Sequence, residues 1–294
     1  MSLVSAVLQH PANQGSRLTA LTRMAFWQAF KRLTGKAICI PYHGMKLRCH
    51  PKSHSASGAI YFSGLPDFRE MLFMLEYLRP GDLFIDAGAN IGLYTLLARS
   101  VVGEEGHVHA FEPNPDTVSL LWENLNLNQI QNVSVHQLGL SDSAGKVGFN
   151  PTADACTSHV DTMAKSETVD LFINSARLDE TLPWAPYAMV KLDIEGYEPF
   201  AIRGASRWLD RGTPPVLQIE IAGYSNRYGV TSANIIDELD SYGYFTAIYE
   251  PETRSLQQTN RPWDLPVDNV LAVSREHESF VSNRLSRRNK DKQR

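Results

Sequence analysis

Apolar and polar positions along the chain fall into a rhythm of short buried strands and amphipathic helices, clearest between residues 81 and 273. Leu83, Phe84 and Ile85 form an apolar run bounded by glycines, which predicts a parallel strand covered on both faces. A helix through Leu93, Leu96 and Leu97 follows and ends near Gly103. His107 to Phe111 makes a second strand. Asn114 followed by Pro115 then predicts a capped helix with Val118, Leu121 and Leu125 on its buried face. Val133 to Leu138, Tyr187 to Asp193 and Val216 to Ile221 supply three more strands. Thr231 or Ser232 caps a helix through Ile235, Ile236 and Leu239 that stops at Gly243. Tyr244 to Tyr249 and Asn269 to Val273 have little helical pattern between them, which predicts an antiparallel final pair. The whole alternation predicts an α/β fold with helices on both faces of the sheet.

The flanks read differently. Residues 1 to 15 look loose. From Leu18 to Leu33 an apolar stripe recurs through Leu18, Leu21, Ala25, Ala29 and Leu33, with Phe26 and Phe30 on its flank and Arg17, Arg23, Lys31 and Arg32 elsewhere. This helix is expected to dock on the main domain or on a second subunit; a basic amphipathic contact with a membrane surface is the alternative. Ala37 to Ile40 and Ala59 to Phe62 read as strands broken by Pro41, Gly44, Pro51 and Gly58, a small antiparallel annex. Asp67 starts a helix through Met71, Leu72, Leu75 and Leu78 that stops at Pro80-Gly81. Residues 145 to 175 break the alternation and read as a hairpin or loop inserted over the carboxyl edge, a natural place for substrate contacts. Three parts result: an N-terminal helix and annex (1–64), a main domain (65–275) and a basic mobile tail (276–294) carrying Arg284, Arg287, Arg288, Lys290, Lys292 and Arg294.

Composition narrows the function classes. The chain is 43% hydrophobic with a net charge of −4, so no global field favours nucleic acid, and the basic tail lacks the interleaved aromatics of a single-strand binder. Cys39, Cys49 and Cys156 are too few and too scattered for a disulfide framework or a zinc site. No apolar run has membrane-spanning length and no signal-peptide pattern opens the chain, so a cytoplasmic location is expected. The glycosylation triplet Asn132-Val133-Ser134 is discounted on the same ground.

The candidate chemistry centres on Asp86-Ala87-Gly88-Ala89-Asn90-Ile91-Gly92. Gly88 permits the turn after the strand, Gly92 permits close approach to the helix N-terminus, and Asn90 can cap its N–H groups. Such a turn offers donors to the anionic end of a ligand, while Asp86 offers a carboxylate to a cationic one. A dinucleotide site would place glycines at 90 and 93, where Asn90 and Leu93 stand; a nicotinamide oxidoreductase is therefore disfavoured. Glu112 lies about twenty residues beyond the turn, the distance at which an acid meets a ribose, and its carboxylate can accept from both hydroxyls. Gly139-Leu140-Ser141-Asp142 follows the third strand, where an adenine would lie; Asp142 either accepts from its amino group or simply forms the turn.

Asp86 to Gly92 with Tyr94 and Thr95, the pair Glu112-Pro113, and Lys191-Leu192-Asp193-Ile194-Glu195-Gly196-Tyr197-Glu198 together resemble the FkbM-type methyltransferases. Arg203-Gly204-Ala205 and Val216 to Glu220 fit the same pattern. The similarity covers residues 65 to 275. It implies a Rossmann-like class I methyltransferase sheet with an antiparallel last strand, and S-adenosylmethionine as cofactor. The implied reaction is methylation of a hydroxyl on a glycan, lipid-linked sugar or polyketide. It also implies Asp86, Gly88, Asn90, Gly92 and Glu112 at the cofactor, and Asp193 and Glu195 at the reaction centre. Residues two apart on a strand share a face, so both carboxylates could meet the acceptor. Asp193 is read as general base, with magnesium ligation by Asp193 and Glu195 as a second role. The third reading is structural, with Glu195 capping the next helix and Asp193 holding the loop. Glu220, at the end of the fifth strand, is the next candidate base. A binding module without catalysis stays open on fold alone.

Overall fold

The computed structural model describes residues 2–150, 159–161 and 171–291. Cys156, Lys292, Arg294 and much of the predicted insertion lie outside the described residues. The N-terminal part runs through α1 (Leu3–Gln9), α2 (Arg17–Thr34), the hairpin β1 (Ile38–Tyr42) and β2 (Met45–Cys49), and α3 (His54–Tyr61). The first fifteen residues are more ordered than their composition suggests: the fully buried Asn13 donates to the Val7 and Tyr61 carbonyls at 2.8 and 3.1 Å. Ala59 to Phe62 is not a strand. Ser53 caps α3 by accepting from the Ala56 N–H, and Ala56, Ala59 and Ile60 bury one helical face.

Helix α2 has its predicted span, but of its predicted apolar set only Leu21 and Phe30 pack on the core, and the helix docks mainly by its other side. Ala20 and Trp27 are buried with Met24 and Phe30 packed beside them, whereas Leu18 and Leu33 are 77% and 85% exposed. The helix is apolar on both sides, so periodicity could not choose between them. Trp27 decides, because its large ring fills the core and its indole N–H donates to Ser57 Oγ at 3.0 Å.

The main domain continues through α4 (Phe68–Tyr77), β3 (Leu83–Ala87), α5 (Leu93–Val102), β4 (His107–Phe111), α6 (Pro115–Leu127) and β5 (Val133–His136). An insertion follows, built of β6 (Gly139–Leu140), β7 (Gly145–Asn150), β8 (His159–Asp161) and β9 (Leu171–Ala176), which pair as a separate sheet in the order β6-β9-β7-β8. The chain then returns through α7 (Leu178–Thr181), β10 (Tyr187–Leu192), α8 (Glu198–Arg203), α9 (Ser206–Leu209), β11 (Val216–Glu220), α10 (Ser232–Ser241), β12 (Tyr244–Glu250), β13 (Ser255–Gln258), β14 (Asn269–Ser274) and α11 (Glu278–Asp291).

The large sheet has the order β13-β12-β14-β11-β10-β3-β4-β5. Strands β11, β10, β3, β4 and β5 are parallel, and β14 is antiparallel to both β11 and β12. This is the Rossmann-like arrangement implied by the resemblance; β13 adds an antiparallel edge that its polar sequence did not reveal. Strand alternation divides the core. Phe84, Met189, Val216 and Leu271 pack with α4, α5 and α11, and Ile85, Val190, Leu217 and Ala272 pack with α8, α9 and α10. The stretch read as a mobile tail is helical through Asp291, with Val281 and Leu285 buried. Arg284 pairs there with Asp82, its Nη2 3.0 Å from Oδ1, and lies 4.6 Å from the Phe280 ring centre.

The docking of α2 is directly testable. Trp27→Ala should lower stability by about 3–5 kcal/mol, the range for emptying a buried aromatic site. Leu33→Ala should change it by less than about 0.5 kcal/mol, as exposed substitutions do. The midpoint of urea unfolding reads both.

Candidate active site

Parallel strands bring their carboxyl ends to one edge of the sheet, where β3, β4, β10 and β11 end around a cavity of about 400 Å³. Phe149, Val160 and Ile173 of the inserted sheet line it from above and pack on Tyr197 and Ile194. Gly88 lines it at φ +78°, and a Cβ there would lie 1.8 Å from the Asp193 carbonyl oxygen. Glycine is required because the chain leaving β10 crosses the turn at contact distance. Gly92 has a different reason. At φ +95° its missing Cβ would sit 2.6 Å from Leu121 Cδ1, so it serves the packing of α5 on α6 and stands outside the cavity lining.

The turn is not the free donor array expected from its sequence. The Gly88 and Ala89 N–H groups both donate to the Phe111 carbonyl, at 3.0 and 2.9 Å, and the Gly92 N–H donates to the Ala89 carbonyl at 2.8 Å. Asn90, at φ +50°, donates its N–H to Glu112 Oε2 at 3.0 Å, and its Oδ1 accepts from the Ile91 N–H at 2.7 Å. What faces the cavity is acidic instead. Glu112 is buried; its Oε1 accepts from the Asn114 N–H at 3.0 Å, and each oxygen keeps a further lone pair. Burial pushes its pKa up to about 7 against those two donors. Leu140 lines the same end of the cavity. Asp142 is outside the lining. Its carboxylate accepts from the Ser141 and Ser143 hydroxyls at 3.3 and 3.1 Å, and Arg177 holds its carbonyl, which is the turn-forming alternative.

Asp86 is likewise behind the wall rather than in it. It is 0% exposed; Oδ2 accepts from Thr95 Oγ1 at 2.6 Å and Oδ1 faces Lys191 Nζ at 3.7 Å. The same ammonium lies 3.0 Å from Asp193 Oδ2, 3.5 Å from the Gly88 carbonyl and 4.7 Å from the Tyr94 ring centre. Burial alone would lower the Lys191 pKa, but Asp193 and Asp86 outweigh it and raise it. Tyr94 in turn donates to Asp67 Oδ2 at 2.9 Å and accepts from Gln218 at 3.0 Å. Asp67, read only as a helix start, makes no side-chain cap and lines the cavity. The sequence signal for this network was one lysine inside the apolar run Tyr187 to Leu192; a fully buried lysine demands a partner.

Asp193, Glu195 and Glu220 all line the cavity, by a route other than strand alternation. Strand β10 ends at Leu192, and a turn with Glu195 at φ +58° brings the carboxyls together. Glu195 is not the cap of the following helix. The helix has no side-chain cap; Glu198, its first residue, reaches back to the turn instead, its Oε1 accepting from the Ile194 and Gly196 N–H groups at 2.8 and 3.2 Å. Burial, then Asp193 and Glu198, push Glu195 up to about 8. Burial, then Asp193, Glu198 and Glu195, push Glu220 up to about 10. Glu220 and Asn269 are partners across β11 and β14, and among the described residues Glu220 Oε2 and Asn269 Oδ1 have no hydrogen-bond partner. Among the described residues no three His, Cys, Asp or Glu side chains are placed to hold a metal, and Asp193 is committed to Lys191. The set does not fit a magnesium site built on Asp193 and Glu195.

Two outcomes follow from this geometry. Lys191→Met should cost about 3–5 kcal/mol, because it strands the buried Asp86 carboxylate and leaves the partly buried Asp193 without its cation, and Asp86→Asn in the same chain should recover part of the loss in chemical unfolding. The raised carboxyls also set a pH dependence. Glu195 binds a proton in the folded state up to about 8 but only to its ordinary 4.5 when unfolded, so its stabilisation is full below 4.5 and is lost as pH rises to 8. The melting temperature should therefore fall between pH 6 and 8, and Glu195→Gln should flatten that fall.

Residues 86–246 match the family model described as the methyltransferase FkbM domain. The hexuronic acid methyltransferase AglP of Haloferax volcanii is 29% identical over 136 residues, 46% of this chain and 55% of that protein. The 31-O-demethyl-FK506 methyltransferase FkbM of Streptomyces tacrolimicus is 38% identical over 94 residues, 31% of this chain and 35% of that protein. The chain thus spans about half the length, or less, of these curated relatives. A putative rRNA methylase from Clostridium thermocellum superposes with a TM-score of 0.42 at 12% identity, covering 69% of this chain and 92% of that one. The family match takes in more than half of the chain, from Asp86 through the turn, Glu112, Asp193 and Glu220: the chain belongs to the FkbM family of methyltransferases.

Proposed function

We propose that the protein transfers the methyl group of S-adenosylmethionine to a hydroxyl oxygen of a glycan, lipid-linked sugar or polyketide-like metabolite. The observation that carries this reading is the ring of carboxylates at the strand ends. Glu112, Asp193, Glu195 and Glu220 surround one cavity, and the buried cation among them, Lys191, is already taken by Asp86 and Asp193. Carboxyls crowded at low solvent access ionise together only with difficulty, and a ligand with positive charge relieves that repulsion. S-adenosylmethionine brings an ammonium and a sulfonium, and its methyl transfer forms an oxygen–carbon bond, breaks the sulfur–carbon bond and releases the hydroxyl proton.

The residues divide the remaining work. Glu112, fixed by two backbone donors, suits a ribose diol, with Leu140 beside the base. Asp193 is the proton acceptor, held in place by Lys191 next to the glycine turn. Glu195 and Glu220 retain protons at neutral pH, so they act as donors to acceptor oxygens. Asn269 adds an acceptor on the same side. A hydroxyl-rich acceptor satisfies such a mixed set, and the names of the two relatives, one for a hexuronic acid and one for an O-demethyl compound, agree with an oxygen acceptor. Much of the acceleration then comes from holding donor carbon and acceptor oxygen in line.

Calorimetry with S-adenosylhomocysteine should show binding, with none comparable for NAD or NADP. Glu112→Ala should weaken it by about 1.5–3 kcal/mol, the range for hydrogen bonds to a charged group. With an acceptor found by screening extracts against a labelled methyl donor, Asp193→Asn should reduce turnover about a hundredfold or more, the scale of general-base catalysis. Its affinity for S-adenosylhomocysteine should stay close to that of the unmodified protein. Preferential binding of a dinucleotide would refute the cofactor reading, and near-normal turnover of Asp193→Asn would move the base elsewhere.

A further inference from the structure

Charge is distributed unevenly along the chain. Residues 1–66 contain eight Lys and Arg and no Asp or Glu, so this part is strongly positive while the chain as a whole has a net charge of −4. The same part presents an apolar face to solvent. On α2, Leu18, Phe26 and Leu33 are 77%, 56% and 85% exposed, and the exposed Ala25 and Ala29 lie between them. These positions share one side of the helix at successive turns, making a stripe roughly 20 Å long. Arg17 and Arg32 are exposed on the same helix and Lys36 is exposed just beyond it. Leu3 and Val4 of the neighbouring α1 are 43% and 46% exposed. The stripe cannot turn inward, because Trp27 and Ala20 anchor the other side of α2 in the core.

We infer that this face docks on an anionic lipid bilayer. Leu18, Phe26 and Leu33 enter the boundary between headgroups and acyl chains, and Arg17, Arg32 and Lys36 meet lipid phosphates. No helix among the described residues is long and apolar enough to cross a membrane, so the contact is peripheral. Charge selects the bilayer over a second copy. A two-fold pairing would set the same cations against each other, and residues 1–66 contain no acid to compensate. The stripe also speaks against nucleic acid, which meets cations and stacking rings rather than exposed leucines. The docking has a consequence for access. Helix α2 rests on α3 through Trp27 to Ser57 and Gln28 to Tyr61, and His54, Ser55 and Gly58 of α3 line the cavity. A bilayer on α2 therefore lies one helix away from the site, within reach of an acceptor carried on a lipid. The docking itself does not depend on the methyltransferase reading.

Sedimentation of the full chain with vesicles tests it. Vesicles of equal parts phosphatidylglycerol and phosphatidylcholine should retain the protein at about 0.1 M salt and release most of it at about 0.5 M, where screening shortens the reach of the charges. Pure phosphatidylcholine should retain about tenfold less or lower still. Leu33→Glu should reduce binding about tenfold or more, the equivalent of one large apolar side chain lost from the interface. Arg17→Glu with Arg32→Glu should reduce it at least as much. Both variants alter exposed atoms only, so unchanged melting temperatures check their folding. Retention of Leu33→Glu on anionic vesicles, or no binding of the unmodified protein, would overturn the inference. A dimer in sedimentation velocity that Leu33→Glu dissociates, without vesicle binding, would assign the face to a second copy.

Discussion

Lys191 is fully buried between Asp86 and Asp193, and the geometry of the site depends on that ion pair. A lysine taken out of water without a counter-charge would lose its proton or unfold its surroundings. Two carboxylates keep it charged, and the lysine in turn holds them. Asp86 is tied further by Thr95 at the start of α5, and Asp193 opens the turn after β10. One ammonium therefore joins the ends of β3 and β10 and the helix that follows β3. Gly88 completes the arrangement by letting the Asp193 backbone cross the turn with no side chain between them.

That constraint sets the character of the cavity. Burial raises the pKa of Glu112 and, behind the lining, of Glu198 to about 7, and burial together with neighbouring carboxylates raises Glu195 to about 8 and Glu220 to about 10. A cluster that retains protons until a cation arrives can act as both donor and acceptor. The inserted sheet closes one side with Phe149, Val160 and Ile173, so the acidic floor lies beneath an apolar roof. Such a combination excludes water while retaining polar groups for orientation.

The N-terminal part bears on the site from outside. Tyr42 of β1 donates to the Leu93 carbonyl at 3.1 Å, and Asn124 of α6 joins the Arg48 N–H of β2 to the Ile91 carbonyl, at 2.7 and 2.9 Å. The hairpin is thereby bonded to both ends of the segment that starts α5. Helix α3 brings its own residues to the cavity, and α2 rests on α3 with its second apolar face turned outward. A segment that looked like an appendage by composition is a wall of the site and its cationic outer surface.

The strands and helices of the main domain were legible because each rests on local chemistry: the apolar run Leu83 to Ile85, the cap and proline at Asn114-Pro115, and the Thr231 cap with Asn234. The turn, Glu112, Leu140, Asp193, Glu195 and Glu220 were legible as cavity residues because parallel strands send their carboxyl ends to one edge. Tertiary packing decided the rest. It placed Asp86 and Gly92 behind the wall, since Lys191 and Leu121 occupy the space a ligand would need, and it consumed the turn's N–H groups through the Phe111 carbonyl and Glu112. It also chose which apolar face of α2 goes inward. Helical periodicity reports that a face is apolar, while the volume and hydrogen bond of a single Trp27 determine which face finds a matching core.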